Sequence, residues 1–284
     1  MQQVCGYCLT GSTREHAFFF IYGPGGNGKS VFLNSIINIM SSYATTAAMD
    51  TFTVSKSDRH PTDLAMLRGA RLVAVSETEE GQAWAESRIK QMTGGDPITA
   101  RFMRQDFFSY TPQFKLVIIG NHKPRLRNVD DAMRRRLHII PFTHKPANPD
   151  KHLEDTLRAE YPQILNWMIE GAKDWQVNGF HVPAVVRKAT DEYFAAQDLF
   201  GQWIEEQCVA GAGHSEAGSS LFEDWKMYSE RSGERPGRIS NFADNLEKRG
   251  FKRRRTSAAN LYEGIALKSK LLGIGGLSTS ADFA

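Results

Sequence analysis

Residues 23–30 combine glycines, a lysine and a hydroxyl at a spacing suited to phosphate chemistry. They fit the pattern G-x-x-x-x-G-K-[ST], in which glycines let backbone N–H groups approach phosphates and a helix N-terminus adds a favourable dipole. Lys29 is expected to reach the β and γ phosphates of a nucleoside triphosphate, and the Ser30 hydroxyl to ligate Mg²⁺. The candidate ATP-binding residues are Gly23, Pro24, Gly25, Gly26, Asn27, Gly28, Lys29 and Ser30.

The segments on either side of this loop have the patterns that the motif needs. Residues 17–22 are an apolar run of strand length, and residues 31–40 have the apolar spacing of a helix. Strand, glycine loop and helix together favour a phosphate-binding loop over a glycine-rich turn that binds nothing.

Phosphoryl transfer also needs a carboxylate that holds the metal. Glu77 directly follows residues 71–76, which we predict to be a buried strand. It could hold Mg²⁺ through water and polarise the attacking water. Glu79 and Glu80 are alternative candidates for this role. An acidic turn that is only solvated and has no catalytic role is the other interpretation.

Asn121 follows a second apolar strand, predicted over residues 115–120. Ligands of open α/β sheets bind at the carboxyl ends of strands, so its amide could bond the γ phosphate and the attacking water. Taken alone, an asparagine after a glycine is more typical of a turn.

Three consecutive arginines, Arg134, Arg135 and Arg136, enter the strand predicted over residues 137–142. A guanidinium stays charged and can bind phosphate with two bonds, so one of them could reach the γ phosphate of a neighbouring subunit. Ion pairs with surface carboxylates are the alternative.

Residues 98–110 alternate basic and aromatic side chains and are predicted to form a β-hairpin. Basic residues can follow a phosphate backbone and aromatic ones can stack on bases. An ordinary hairpin whose aromatics join the core is equally compatible with this local pattern.

Strands that alternate with helices predict an α/β fold with a mainly parallel central sheet. Within it we expect short helices over residues 63–68, capped by Thr62, and 83–92. Residues 150–200 have helical spacing, and residues 209–220 are small and polar and are predicted to be a loop.

The last part of the chain has a different pattern. Helices are predicted over residues 221–229 and 241–249, the second capped by Ser240, and strands over residues 251–254 and 261–267. Helices followed by a basic hairpin suggest a small winged-helix module. Residues 272–284 are low in charge and are predicted to be disordered.

Composition limits the partners and the cellular location that the chain is expected to have. The chain has 284 residues, 41% of them hydrophobic, and a net charge of +3, which does not by itself argue for nucleic acid. No apolar run approaches the ~20 residues of a membrane span, and the first residues lack a signal-peptide pattern, so a cytoplasmic protein without membrane partners is expected. Cys5, Cys8 and Cys208 lack zinc-site spacing and are expected to be reduced.

Taken together, these motifs resemble the superfamily-three helicases, and most of all those of phage and poxvirus primase-helicases. The segments that carry the resemblance are GPGGNGKS at residues 23–30, RLVAVSETEEG at residues 71–81, the stretch of residues 89–124 and RRRLHIIPF at residues 134–142. They follow the order of the family and cover about half of the chain.

The resemblance implies an AAA+-type P-loop core that assembles as a hexameric ring around single-stranded or forked DNA, with ATP and Mg²⁺ between subunits. The Walker B acid of the family falls on Glu77, its sensor amide on Asn121, and its trans arginine on Arg135, with Arg136 as the rival. Its DNA-gripping hairpin falls on residues 98–110. The DNA-binding candidates there are Lys90, Arg101, Phe102 and Arg104.

The C-terminal part resembles, more weakly, the winged-helix tail of phage primase-helicases. Residues 241–249 would be the recognition helix, and the wing would carry Lys252, Arg253, Arg254 and Arg255. No primase active site is present, and the helical collar that precedes the motor in relatives is nearly absent, which weighs against autonomous hexamer formation.

These observations predict five regions and one main function. The regions are a remnant of an N-terminal helical region (1–16), the ATPase core (17–145), a helical segment (146–200), a winged-helix-like module (201–271) and a disordered tail (272–284). The predicted function is an ATP-dependent DNA translocase of phage or prophage replication in the bacterial cytoplasm, with a primase domain or protein as a possible partner. A non-motor origin-binding or recruitment protein is the alternative, and a small-molecule kinase is a weaker one.

Overall fold

The computed structural model describes residues 1–54, 61–76, 81–126, 129–256 and 260–269. Contacts divide the chain into two compact units, Met1–Gln197 and Asp198–Ala284. Among the described residues, no helix is long and apolar enough to cross a membrane.

The N-terminal unit is built around a five-stranded sheet in the order β2-β3-β6-β1-β7, with all neighbouring strands parallel. The predicted α/β class with a parallel central sheet is therefore confirmed. The strands are β1 (Phe18–Tyr22), β2 (Ala44–Ala48), β3 (Leu72–Ser76), β6 (Lys115–Gly120) and β7 (Leu137–Pro141). A separate antiparallel pair consists of β4 (Ile98–Ala100) and β5 (Phe108–Tyr110).

Helices cover both faces of this sheet, because alternate residues of its strands point to opposite sides. Phe19 and Ile21 of β1 pack on one face with helices α1 (Gln2–Leu9), α2 (Lys29–Met40) and α7 (Tyr161–Asn178). Phe18 and Phe20 pack on the other face with α4 (Glu86–Gly94), α5 (Asp131–Arg134) and α8 (Ala184–Gln197). The remaining helices of this unit are α3 (Thr62–Ala65) and α6 (Leu153–Ala159).

Two helix starts in this unit differ from the predictions. Helix α4 begins at Glu86 rather than at residue 83, because Ala83 and Trp84 take part in β-bridges instead. Thr62 lies inside α3 rather than capping it, and its hydroxyl donates a 3.3 Å hydrogen bond to the carbonyl of Arg101.

The C-terminal unit packs helices against a three-stranded antiparallel sheet in the order β8-β10-β9. Its elements follow one another as α9 (Leu199–Gln207), β8 (Cys208–Ala217), α10 (Gly218–Arg231), α11 (Ile239–Lys248), β9 (Lys252–Arg255) and β10 (Asn260–Leu267). Trp203, Leu221 and Ile265 are fully buried in its own core.

Two predictions for this unit are wrong. Residues 209–220 are not a loop, since β8 occupies most of them and α10 begins at Gly218. Small residues have low strand propensity, but pairing with β10 supplies the backbone hydrogen bonds and overrides it. Ser240 lies inside α11 rather than capping it, because the helix begins at Ile239.

The three cysteines are free and buried. Burial raises the pKa of the Cys8 thiol to about 11, which makes it a poor nucleophile at neutral pH. The predicted disordered tail, residues 272–284, lies outside the described residues.

Candidate functional site

The candidate site lies at the carboxyl ends of β1 and β6, which are neighbours in the sheet. Tyr22 at the end of β1 is in register with Gly120 at the end of β6. The helix after β1 packs on one face of the sheet and the helix after β6 on the other. Because the chain leaves the two strands toward opposite faces, the place between their ends is where the general rule for open α/β sheets puts a ligand-binding crevice.

The predicted phosphate loop joins β1 to α2 at this place. Gly26 and Gly28 have positive φ values of 76° and 81°, a conformation that other residues adopt only with strain. Gly28 is the N-cap of α2, so the first N–H groups of the helix face the loop. A Cβ at Gly23 would lie 2.0 Å from the carbonyl oxygen of Phe142, so only glycine fits there.

Lys29 is the most enclosed polar residue of the loop, with 6% of its surface exposed. Its Nζ donates hydrogen bonds to the carbonyl of Gly23 (2.7 Å), to Oδ1 of Asn27 (2.9 Å) and to Oδ1 of Asn121 (3.0 Å). These acceptors are neutral oxygens, and burial lowers the pKa of the lysine. An anion at this position would supply the negative charge that the ammonium lacks.

The structure thus brings together two residues that lie far apart in the sequence and were predicted separately, Lys29 and Asn121. The exposed Asn121 amide follows β6, and its oxygen reaches across to the loop. A ligand held by the lysine would therefore also lie beside this amide.

The predicted magnesium ligands are only partly described. Ser30 is exposed at the second position of α2. Strand β3 ends at Ser76, whose register partner Ile119 lies one residue before the end of β6. Glu77, Glu79 and Glu80 lie outside the described residues, so their assignment stays a prediction.

Two further lysines near the loop were missed by the sequence reasoning. The Nζ of Lys123 lies 4.3 Å from the ring centroid of Tyr22, and burial lowers its pKa. Lys145 lies against Gly26. Each of these lysines follows a strand that is adjacent to β1 in the sheet. The sequence alone does not give the order of the strands, so it could not select them.

The three arginines before β7 have different surroundings. Arg134 pairs with Asp191 at 2.8 Å. Nη1 of Arg136 donates to the carbonyl of Ala132 at 2.9 Å, and its buried Nε has no hydrogen-bond partner among the residues that the structure describes. Arg135 is exposed, and within the same residues its side chain donates only from Nε, to the carbonyl of Asp131 at 3.3 Å. Its guanidinium is therefore the most available of the three.

The predicted hairpin consists of β4, β5 and the loop of residues 101–107. Arg104 at its tip has a positive φ of 60°. Met103 and Phe107 are 67% and 58% exposed, and the guanidinium of Arg101 lies 4.6 Å from the Phe107 ring centroid. Sequence reasoning selected Phe102 and missed Phe107, although both aromatics lie in the same segment.

The base of the hairpin is fixed to α3 and to the residues after it. Phe102 stacks on Phe108 with 5.7 Å between ring centroids, and Arg68 lies 4.9 Å from the Phe108 ring centroid. The hydroxyl of Tyr110 donates a 2.6 Å hydrogen bond to the carbonyl of Leu64. Phe102 therefore connects the tip to a packed base, while Phe107 stays on the outside.

Lys90 is engaged within the N-terminal unit. Its ammonium forms an ion pair with Asp130, the N-cap of α5. Burial of this carboxyl opposes ionisation, but hydrogen bonds from Lys90 and from the backbone of Met133 hold the pKa of Asp130 below its usual value. The pair connects α4 to the N-cap of α5, the short helix whose last residue is Arg134.

The four predicted wing residues of the C-terminal unit lie on β9, an edge strand. All four are exposed: Lys252, Arg253, Arg254 and Arg255. Arg254 pairs with Glu263 at 3.2 Å. Helix α11 buries Phe242 and Leu246 and leaves Asn241 and Asn245 exposed.

Comparison with known proteins places the chain near viral helicases. Residues 21–136 match a family described as a family of unknown function, DUF5906. "Putative helicase L207/L206" of Acanthamoeba polyphaga mimivirus is 26% identical over 71% of this chain, and "Putative helicase 022R" of Frog virus 3 is 26% identical over 70% of it. In both cases the chain spans only 23% of the relative's length.

A solved structure shares the fold. "The apo structure of NrS-1 C terminal region (305-718)" aligns with 88% of this chain and 67% of its own, with a TM-score of 0.50 and 10% sequence identity. The chain therefore has an α/β fold, and its sequence is similar to part of viral proteins that are named as putative helicases.

Proposed function

We propose that this chain is the motor module of an ATP-dependent DNA helicase or translocase. The observation that carries the proposal is the 3.0 Å hydrogen bond between Nζ of Lys29 and Oδ1 of Asn121. It joins the lysine of a phosphate-binding loop to a polar side chain on the adjacent strand, where a γ phosphate and the attacking water would lie.

The loop and its surroundings fit a polyphosphate chain. Gly26 and Gly28 leave the backbone open to a close approach, and the N-terminus of α2 favours negative charge. Among the described residues, the Lys29 ammonium contacts only neutral oxygens. Ser30 and Glu77 would hold Mg²⁺, which would offset the charge that develops on the phosphates during transfer.

Arg135 is the proposed trans residue, which would be supplied to the nucleotide of a neighbouring subunit in a hexameric ring. Its guanidinium is exposed and, in the described part of the chain, bonds only to the backbone carbonyl of Asp131, four residues earlier. Arg134 is occupied by Asp191. An arginine that is free until a neighbour arrives fits a site completed at an interface.

Two surfaces are proposed to contact DNA. The hairpin tip carries Arg101, Arg104 and Phe107, which combine phosphate contacts with a face for base stacking. In the C-terminal unit, the order helix, strand, helix, helix and hairpin is that of a winged-helix module. There the exposed basic residues of β9 would contact phosphates without reading sequence.

The experiment that tests this function is ATP hydrolysis with and without single-stranded DNA. We expect DNA to stimulate hydrolysis and Lys29→Ala to abolish it, while Lys151→Ala, which changes an exposed lysine outside the loop, behaves as wild type. Undiminished turnover in Lys29→Ala would refute the site. Measuring the mass of the assembly in solution with ATP and single-stranded DNA tests whether the chain forms a ring.

A non-motor DNA-binding protein that uses ATP only for assembly is the second candidate. It is favoured by one observation, the four consecutive exposed basic residues of β9, which need no motor to bind DNA. The assay of ATP hydrolysis with and without single-stranded DNA distinguishes the two functions, because a non-motor protein would bind DNA without showing DNA-stimulated hydrolysis.

A further inference from the structure

Gly26, in the phosphate loop, lies against a lysine from another part of the chain. A Cβ built on Gly26 would lie 3.2 Å from Cε and 3.8 Å from Nζ of Lys145. Lys145 belongs to the segment after β7, the strand on the side of β1 opposite to β6. A second ammonium group is therefore present beside the glycines of the loop, in addition to that of Lys29.

Hydrogen bonds hold this segment against the loop. The side-chain amide of Asn27 donates to the carbonyl of Phe142, and the backbone N–H of Phe142 donates to the carbonyl of Tyr22 at 2.7 Å. The Phe142 ring also packs on Phe32 of α2, with 5.8 Å between centroids. Because Phe142 is bonded both to the loop and to the strand before it, the start of the segment that carries Lys145 is held beside the loop.

The two lysines differ in what they already bind. Lys29 is enclosed and donates to oxygens of the loop and of Asn121. Lys145 is exposed, and in the described part of the chain no carboxylate lies within ion-pair distance of it. Its ammonium can therefore turn toward an anion without breaking an ion pair, and Gly26 places no side chain in the way.

We propose that Lys145 is a second phosphate-binding lysine of this site, whose ammonium contacts the polyphosphate chain of the bound nucleotide. The inference deepens the proposed function and rests on the same nucleotide site. Lys145 would contact the phosphates equally in the bound nucleotide and in the transition state, so it contributes to binding and not to the chemical step. Its loss should therefore raise KM and leave kcat nearly unchanged.

The test compares three variants in equilibrium binding of ATP and in steady-state hydrolysis. Lys145→Ala is expected to weaken ATP binding by about tenfold, the usual worth of a hydrogen bond to a charged group, and more at low than at high salt. Lys145→Arg keeps the charge and should recover most of the affinity. Lys151→Ala, an exposed lysine six residues further along the chain, is the matched control. Wild-type affinity in Lys145→Ala, or an equal loss in Lys151→Ala, overturns the inference.

Inorganic tripolyphosphate separates this inference from the proposed function. Its binding is measured as a rise in melting temperature and requires neither a base nor hydrolysis. If tripolyphosphate raises the melting temperature of wild type but not of Lys145→Ala, and wild type does not hydrolyse ATP, the motor function is refuted and the role of Lys145 is supported. If wild type hydrolyses ATP and tripolyphosphate raises the melting temperature of Lys145→Ala as much as that of wild type, the motor function is supported and the role of Lys145 is refuted. If tripolyphosphate and ATP both fail to bind the wild-type protein, both proposals are wrong.

Discussion

Nζ of Lys29 and Oδ1 of Asn121 are 3.0 Å apart, although Lys29 begins helix α2 and Asn121 follows strand β6. The contact connects the proposed phosphate loop after β1 to the residue that follows β6, so a change at either residue alters the polar surroundings of a phosphate bound there. Asn121 is neutral, which leaves the positive charge of Lys29 available to a ligand.

Asn121→Asp should therefore weaken ATP binding. The new carboxylate would form an ion pair with Lys29 in the empty site and would repel the γ phosphate. We expect affinity for ATP to fall by about tenfold or more, and by more than in Asn121→Ala, which removes the amide without adding charge. Titration with ATP measures both variants, and an affinity for Asn121→Asp equal to wild type would contradict this account.

Arg135→Ala should lose hydrolysis and retain nucleotide binding. In GTPases such a residue contributes about 10³–10⁵ in rate. Arg135 is more exposed than Arg136 and, unlike Arg134, has no side-chain partner among the described residues. Arg134→Ala is the matched control and should mainly lose the exposed ion pair with Asp191, with a small effect. Mixed assemblies of Arg135→Ala and Lys29→Ala subunits should regain activity; if mixed rings form and stay inactive, the trans role is refuted.

The parts of this protein that could be predicted from sequence are those fixed by local pattern. The apolar runs that became β1, β3 and β6 are buried on both faces, so their composition alone marks them as strands. The glycine loop carries its own signature. Strand β8 has no such pattern, because its pairing with β10 depends on residues about fifty positions away. Lys145 could not be found for the same reason, since the sheet order decides which loops lie beside Gly26.

Phe107→Ala should weaken binding of single-stranded DNA without affecting stability. The ring is exposed at the hairpin tip, and a base stacked on an aromatic side chain is worth about 1–3 kcal/mol. Phe108→Ala provides the contrast, because that ring packs against Phe102 and Arg68 and its loss should lower the melting temperature. DNA titration and thermal unfolding separate the two, and a stability loss in Phe107→Ala as large as in Phe108→Ala would argue against an exposed binding face.

Gly6→Ala should destabilise the N-terminal unit. Helices α1 and α7 approach so closely that a Cβ on Gly6 would lie 2.1 Å from the backbone nitrogen of Ala172. Forcing the helices apart should cost roughly 1–3 kcal/mol of the free energy of unfolding. In Gly11→Ala the nearest atom is 3.7 Å away, so that control should be close to neutral. Urea unfolding of both variants tests this close approach of α1 and α7. Equal urea midpoints for Gly6→Ala and Gly11→Ala would rule it out as a determinant of stability.

Lys115 should give the free energy of unfolding a distinct dependence on pH. Its buried ammonium donates to the carbonyls of Thr10, Ser12 and Gln113, and burial lowers its pKa to about 8 from the ordinary 10.5. Between these two values the unfolded chain holds a proton that the folded protein has lost, so the contribution of this residue to stability rises with pH.

The comparison that isolates this effect is wild type against Lys115→Met, from pH 7.5 to 10.5. The difference in unfolding free energy between them should move in favour of wild type by up to about 3 kcal/mol across that window, at 1.36 kcal/mol per unit of pKa. Cys8 and Tyr7, whose pKa values burial raises to about 11 and about 12, act in the opposite direction but are present in both proteins. A difference that stays constant with pH would mean that Lys115 does not titrate in this range.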